Sequence, residues 1–514
     1  MPTRRDFFRG VGAALGVAGA GTVQPTRTAR AATTLSAQLR LVRYPYVQNV
    51  ADDRATILWA TRGAGVATAD YFTRQTFPER VIASTREFLP SETGLSAPFY
   101  QHQVELNGLL SNTEYFYRVA LNGQNLAPRD RLLRFSTAGR GPFSFLVFGD
   151  SGMGTSAQYQ LAQLKVRDHP ALVLHTGDIG YWTGAYADYQ ERYFDYYRNL
   201  MKRVPFFPTP GNHDYLTANA SPYLSVHAVP GDGVPEDERG RYYSFDWGNA
   251  HFISLDTNLS LTRAVEGKGA MLDWLEKDLN RTRQYWRVVF FHHPPFACGP
   301  NEDDPISTMV EKRIVPILER HGVELVFNGH EHSYQRSKCL RNGALAELGT
   351  GTTYVTSGGG GASLYPVTGA KRSSVAYGES AHHFLRVVVE VSRLTARAIR
   401  ADEAEIDVFT VEPPPRIFGT ASFQNNSFMP QLSPRALFSI WGRNLADQEM
   451  DAPSLPLPTT LSGTVVTLNG RRLPLLYVSP TEIDVQVVTD VRGPAVLGVR
   501  TENGLAEIAV EVSA

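Results

Sequence analysis

Phe143-Ser144-Phe145-Leu146-Val147-Phe148 runs directly into Gly149-Asp150-Ser151-Gly152. A short, almost wholly apolar run closed by a glycine and an acid reads as a buried strand that delivers a carboxylate at its carboxyl end. Four later segments repeat the pattern. Ala171–Leu174 leads to Gly177-Asp178-Ile179-Gly180-Tyr181, and Val204–Phe207 leads to Gly211-Asn212-His213-Asp214. Arg287–Phe291 leads to His292-His293-Pro294, and Glu324–Phe327 to Gly329-His330-Glu331-His332. Between these runs, Met271–Leu279 and Met309–Arg320 carry apolar residues at three- and four-residue spacing, as helices do. Buried strands alternating with helices predict an α/β domain of β-sheets flanked by helices over residues 142–411.

Outward from this core the rhythm changes. Residues 40–138 read as a β-sandwich, with Thr56-Ile57-Leu58-Trp59-Ala60 and Tyr115-Phe116-Tyr117-Arg118-Val119 among strands set between turn-rich pieces. On the other side, Glu412-Pro413-Pro414-Pro415 reads as a stiff linker to an all-β module over 416–514. Val465–Gly470 and Leu476–Pro480 are its clearest pieces, and it shows no chemistry. At the amino terminus, Arg4-Arg5-Asp6-Phe7-Phe8-Arg9 precedes a Gly/Ala-rich stretch and Ala29-Arg30-Ala31. Residues 1–31 are thus read as an export signal of the twin-arginine kind, placing the mature protein in the periplasm or outside the cell.

Composition removes several classes. Of 514 residues, 50 are Lys or Arg and 51 Asp or Glu, for a net charge of −1, which argues against a nucleic-acid-binding surface. No apolar run reaches the ~20 residues that span a bilayer. Cys298 and Cys339 are the only cysteines, so a four-cysteine zinc site is excluded.

A Gly-Asp or Gly-Asn pair alone marks a turn. Five such motifs in order, each after a strand, mark one shared edge. Their Asp, Asn, His and Tyr donors suit iron, zinc or manganese rather than copper(I) or iron–sulfur clusters. Asp150, Asp178, Tyr181, Asn212, His292, His330 and His332 are more donors than one tetrahedral ion uses, so two ions are expected, with a bridging carboxylate. Such a pair suits phosphate-ester hydrolysis. A phenol that titrates near ~10 in water is ionised at mild pH only against a strong Lewis acid, which favours Fe(III) beside Tyr181.

In this order the five motifs resemble those of the calcineurin-like metallophosphoesterases, and Tyr181, three residues after Asp178, resembles the purple acid phosphatase branch. The resemblance covers residues 40–410. It implies a fibronectin type III-like domain ahead of the catalytic one, and Leu109–Tyr115 resembles the E–F corner of such a module. By motif matching, Asp150, Tyr181 and His332 would bind the first metal, Asn212, His292 and His330 the second, and Asp178 would bridge them. The cofactor implied is Fe(III) plus a divalent ion: zinc, iron or manganese. The activity implied is hydrolysis of small phosphomonoesters by in-line attack of a metal-bound hydroxide, with His213 contacting phosphate and protonating the leaving group.

Asp214 and His293 stand beside these residues as candidates to touch the substrate or orient a ligand. The sequence departs from the resemblance after His292-His293-Pro294. Many purple acid phosphatases carry further histidines there, whereas this chain has Cys298-Gly299-Pro300-Asn301-Glu302-Asp303-Asp304. Glu302 and Asp303 near the metals would disfavour a dianionic monoester, which keeps a phosphodiesterase or nucleotide hydrolase as the alternative; away from them they form a solvated loop. In an oxidising compartment Cys298 and Cys339 are expected to pair and tie this loop to the one after His332. The C-terminal module resembles those appended to exported bacterial proteins and is expected to contact the cell surface. Two readings from other classes stand against hydrolysis: a non-catalytic surface-binding protein, and a mononuclear iron oxidoreductase.

Overall fold

The computed structural model describes residues 41–130, 133–341, 344–346, 350–369, 374–423, 431–487 and 490–513; the export signal read at 1–31 lies outside them. Phe143–Phe148, Leu172–His175 and Phe206–Pro208 form successive parallel strands of a six-stranded mixed sheet, completed by an antiparallel arm that begins with His383–Val389. Trp286–Phe290 and Leu325–Asn328 are parallel neighbours in a second, seven-stranded sheet. The five ligand-bearing strands thus belong to two sheets packed face to face. Phe145 meets Phe252 edge-on with centroids 5.3 Å apart, and Phe327 at 6.2 Å.

Strand alternation builds the layers. Phe145 and Val147 point between the sheets, while Leu146 and Phe148 point outward onto Leu161 and Tyr197 of the first helical layer. Val289 and Val326 play the same part for the second sheet, against Met271, Leu275 and Leu318. Each such side chain, fully buried, contributes about 1.5–3 kcal/mol. Met271–Arg281 forms as one helix, but the Met309–Arg320 pattern is split into Pro305–Arg313 and Val315–Arg320. Pro316 sits in the first turn of the second piece, where its missing N–H costs nothing; inside one continuous helix it would break the ladder.

The N-terminal region is a β-sandwich of a four-stranded and a five-stranded sheet. The Leu110 N–H donates to the Tyr115 hydroxyl at 2.9 Å, bracing the corner read from the sequence. Arg43 fastens this region to the central domain, donating to Gln101 and Gln190 beneath the Phe194 ring.

Two further five-stranded sheets make the C-terminal module. The triproline segment is no free tether. Pro413 and Pro415 are buried, and Arg443 of the module forms a buried ion pair with Glu324, whose other oxygen accepts the Arg287 N–H. Removing one partner of such a pair leaves a buried charge uncompensated, so the module is docked on the second sheet.

Candidate metal centre

All five motifs converge across the carboxyl ends of the two sheets. Asp150, Asp178 and His330 adopt left-handed backbone angles, with φ of 54°, 54° and 69°. Each costs of order 1–3 kcal/mol and persists only where its surroundings hold it. Here they do: the His330 N–H donates to both Asp150 oxygens at 3.0 and 3.1 Å, and the His213 N–H donates to Asp178 Oδ1 at 3.0 Å. The motif glycines let the loops close this far. A Cβ at Gly211 would collide with Asp178 Oδ1, and one at Gly329 with Asp150 Oδ2.

Each of the three inner histidines is tethered by one ring nitrogen and aimed by the other. His292 Nδ1 meets the Thr176 carbonyl at 2.9 Å, turning Nε2 to Asn212 Oδ1 at 2.9 Å and Asp178 Oδ1 at 3.4 Å. His332 Nδ1 meets the Ser363 carbonyl at 2.7 Å, turning Nε2 to the Tyr181 hydroxyl at 3.0 Å and Asp150 Oδ1 at 3.5 Å. For His330 the roles are reversed: Nε2 meets Asp304 Oδ2 at 3.0 Å and Nδ1 faces Asn212 Oδ1 at 3.0 Å. In the neutral ring that a metal ligand must be, an N–H spent on the outer acceptor leaves a lone pair facing inward.

The centre therefore sets imidazole lone pairs against carboxylate, amide and phenol oxygens, with Tyr181 giving its proton to Asp178 Oδ2 at 2.8 Å. Burial, with the Asp178 and Asp150 charges, pushes the Tyr181 phenol far up. Lone pairs facing lone pairs in a buried site call for cations. Histidines held from behind by carbonyls and a carboxylate are the usual support of metal ligands. The donor set fits the two ions read from the sequence. Asp150, Tyr181 and His332 gather at one end, Asn212, His292 and His330 at the other, and Asp178 touches both groups.

His213 lies at the open rim, its side chain 25 % exposed. Nδ1 meets the Trp182 carbonyl at 2.7 Å, the ring sits 4.4 Å from that of Tyr181, and Nε2 faces the centre, 3.9 Å from Asp178 Oδ2. Trp182 is 58 % exposed beside it.

Asp214 lies beneath the centre, where substrate does not reach. Fully buried, it accepts from the Gly211 and Ile179 backbones and from the Tyr189 hydroxyl, tying the Asp178 loop to the Asn212 loop. Burial and the Asp178 charge push its carboxyl up to about 7. His293 is buried against Thr257, with Nε2 3.9 Å from Asp304.

The acidic loop divides. Glu302 turns its carboxylate over Gly369, Asp303 is exposed, and Asp304 reaches His330. The expected disulfide is corrected: Cys298 and Cys339 are both buried as thiols. Gln335 receives the Cys298 N–H and S–H at 2.9 and 3.3 Å and donates to the Cys298 carbonyl at 2.6 Å. His383 is buried between Ser357 and the Ala381 carbonyl and takes no part in the centre.

Several contributors escaped sequence reasoning. Tyr365 stacks on His332 with centroids 4.1 Å apart and planes 12° apart, and the Ser363 carbonyl orients the same ring. Glu331, between two ligands, accepts the Asn301 N–H at 2.6 Å; burial pushes its carboxyl up to about 7. The available signal was Gly358-Gly359-Gly360-Gly361, directly after the Thr353–Ser357 strand. A Cβ at Gly358 would strike the Glu331 carbonyl.

Residues 143–334 match the family model of the calcineurin-like phosphoesterases, and the central domain is a calcineurin-like phosphoesterase domain. Its relatives include acid phosphatases. The chain is 26% identical over 293 residues to purple acid phosphatase 15 of Arabidopsis thaliana, covering 51% of this chain and 53% of that protein. It is 27% identical over 307 residues to acid phosphatase type 7 of Mus musculus, covering 55% of this chain and 67% of that one. The chain thus spans about half to two thirds of these relatives' length. Purple acid phosphatase PPD1 from yellow lupin seeds shares the fold, with a TM-score of 0.61 at 18% identity over 72% of this chain and 74% of that one. The structure titled PhoD follows, with a TM-score of 0.52 at 12% identity over 73% and 89%.

Proposed function

We propose that this chain is a metal-dependent phosphatase that hydrolyses small phosphomonoesters. One observation carries the reading: three histidines, each fixed from behind through one ring nitrogen, turn the other onto the oxygens of Asp150, Asp178, Asn212 and Tyr181. In this reading Asp150, Tyr181 and His332 would hold Fe(III), Asn212, His292 and His330 would hold a divalent zinc, iron or manganese ion, and Asp178 would serve both. When bound, such a pair supplies the Lewis acidity that activates water and neutralises phosphoryl charge.

The chain's own groups do the rest. His213 acts as an imidazolium: its Nδ1–H is held by the Trp182 carbonyl, and it presents Nε2–H to a phosphoryl oxygen and passes that proton to the departing alcohol, leaving the ring neutral. The ring is kept in that attitude by Tyr181 beneath and Trp182 beside it. Asp214 holds the loops bearing Asp178 and Asn212 in register, so donors on separate strands keep their spacing.

Phosphodiester hydrolysis is the second reading, favoured by Asp304, the one charged carboxylate in the open pocket beside Asn212 and His330. The experiment is release of nitrophenolate from 4-nitrophenyl phosphate and bis(4-nitrophenyl) phosphate by protein loaded with iron and zinc. Faster monoester turnover that disappears on chelation supports the phosphatase; diester preference installs the second reading; inertness toward both removes hydrolysis. Export by the twin-arginine route belongs to the same proposal and rests on residues 1–31. Replacing Arg4 and Arg5 by Lys should retain the protein in the cytoplasm of an expressing bacterium.

A further inference from the structure

A pocket of about 460 Å³ opens directly beside Asn212 and His330. Its far walls come from two helix starts: Leu259 and Thr262 in the Leu259–Val265 helix, and Ile306 in the Pro305–Arg313 helix. Tyr215 and Asn258 close the sides, and Asp304 stands at the inner edge.

Most polar groups of these walls are already engaged. The Tyr215 hydroxyl bonds to Asp256 and receives Arg241. The Asn258 amide donates to the Pro210 carbonyl at 3.1 Å and to Asp256 at 3.2 Å. Asp304 uses Oδ1 to cap its helix through the Ile306 N–H at 2.8 Å and Oδ2 on His330. What remains for a ligand is the Tyr215 ring, the aliphatic groups of Leu259, Ile306 and Thr262, and, at the inner edge, the buried His293 ring, held through Nδ1 by Thr257. Among the described residues no Lys or Arg lines the pocket. A second phosphate or carboxylate placed here would meet Asp304 and, among the described lining residues, no Lys or Arg.

We propose that this pocket is the subsite for an uncharged, apolar ester group of the substrate phosphate. This inference rests on the phosphatase reading and adds to it a substrate class: phosphoesters of apolar, preferably aromatic, alcohols, with polyanionic phosphates disfavoured. Continuity supports the assignment, since Asn212 and His330 are at once pocket wall and metal-facing donors. A group attached to a phosphate held at the centre therefore enters the pocket without crossing solvent.

The test is calorimetric binding to the metal-loaded full chain of three non-hydrolysable probes: inorganic phosphate, phenylphosphonate and 4-carboxyphenylphosphonate. Phenylphosphonate should bind on the order of 10-fold or more tightly than phosphate, the discrimination an apolar pocket provides for a group of this kind. The added carboxylate should cancel that advantage. In Leu259→Ala and Ile306→Ala the phenylphosphonate-to-phosphate ratio should fall toward one. The ratio is the readout, so a general loss of fold or metal, which weakens both probes together, does not imitate the result. A wild-type ratio near one, or a ratio untouched by both substitutions, overturns the subsite while phosphate binding leaves the phosphatase reading standing. Failure of the loaded protein to bind phosphate at all overturns both.

Discussion

Two polar clusters sit at opposite ends of the same sheet, and they differ in their supply of protons. Near the start of its strand, His251 donates through Nδ1 to Asp246 at 2.6 Å and through Nε2 to Asp278 at 2.8 Å. The carboxylates are completed by Gln284, Ser244 and Arg281. Every donor there has an acceptor and the charges balance, so the cluster is closed. At the carboxyl ends, His292, His330 and His332 spend their protons outward and face acceptors inward. That cluster is open, and cations close it. A histidine among carboxylates is thus no sign of a metal by itself; the direction of its proton is.

The largest way to break this contrast is Asp178→Asn. It removes the one carboxylate that touches both donor groups, and we expect turnover to drop on the order of 10³-fold or more, with loss of bound metal by elemental analysis. Retention of both ions and of activity would refute the bridging role. His213→Gln should leave metal content intact yet slow turnover roughly 10²–10³-fold, most for substrates with poor leaving groups. Equal slowing for nitrophenyl and alkyl phosphates would remove the proton-donor role.

The closed cluster gives a stability prediction instead. Both carboxylates, working against the burial of the ring, raise the His251 pKa to about 9. A folded pKa above the unfolded value near ~6.5 stabilises fully below that value and fades as pH climbs through about 9. His251→Gln should therefore cost roughly 2–4 kcal/mol at pH 6 and little of that at pH 10, read by denaturant unfolding, with unchanged metal content. A cost that is independent of pH would mean the ring is neutral. Smallest is Asp304→Asn, which weakens the hold on the outer His330 nitrogen. It should lower metal affinity about 10- to 100-fold in a competition titration and leave His251-dependent stability alone.

The strand-end residues were legible because their signal is local. An apolar run followed by Gly-Asp or Gly-Asn-His states the period of a buried strand and the chemistry at its tip within ten residues. The C-terminal module's docking was not legible. Glu412-Pro413-Pro414-Pro415 reads as a spacer, and the interface shows only in contacts between residues far apart in sequence, such as the buried Arg443–Glu324 pair and Arg287 over the Phe418 ring. The cysteine pairing failed similarly: two thiols in a compatible loop arrangement look alike on paper, and the Gln335 side chain that engages Cys298 lies 37 residues away.

By itself, then, the sequence determined the layered α/β centre, the β-rich flanks and the donors available at the strand ends, since periodicity and residue chemistry are properties of short segments. Tertiary structure alone decided that those ends come from two sheets rather than one, and which nitrogen of each histidine faces inward. It also alone set Leu259 and Ile306 beside Asn212. Such choices depend on packing between residues as distant as Asp150 and His330, 180 positions apart. No local pattern records the distance between two loops until the sheets beneath them have closed.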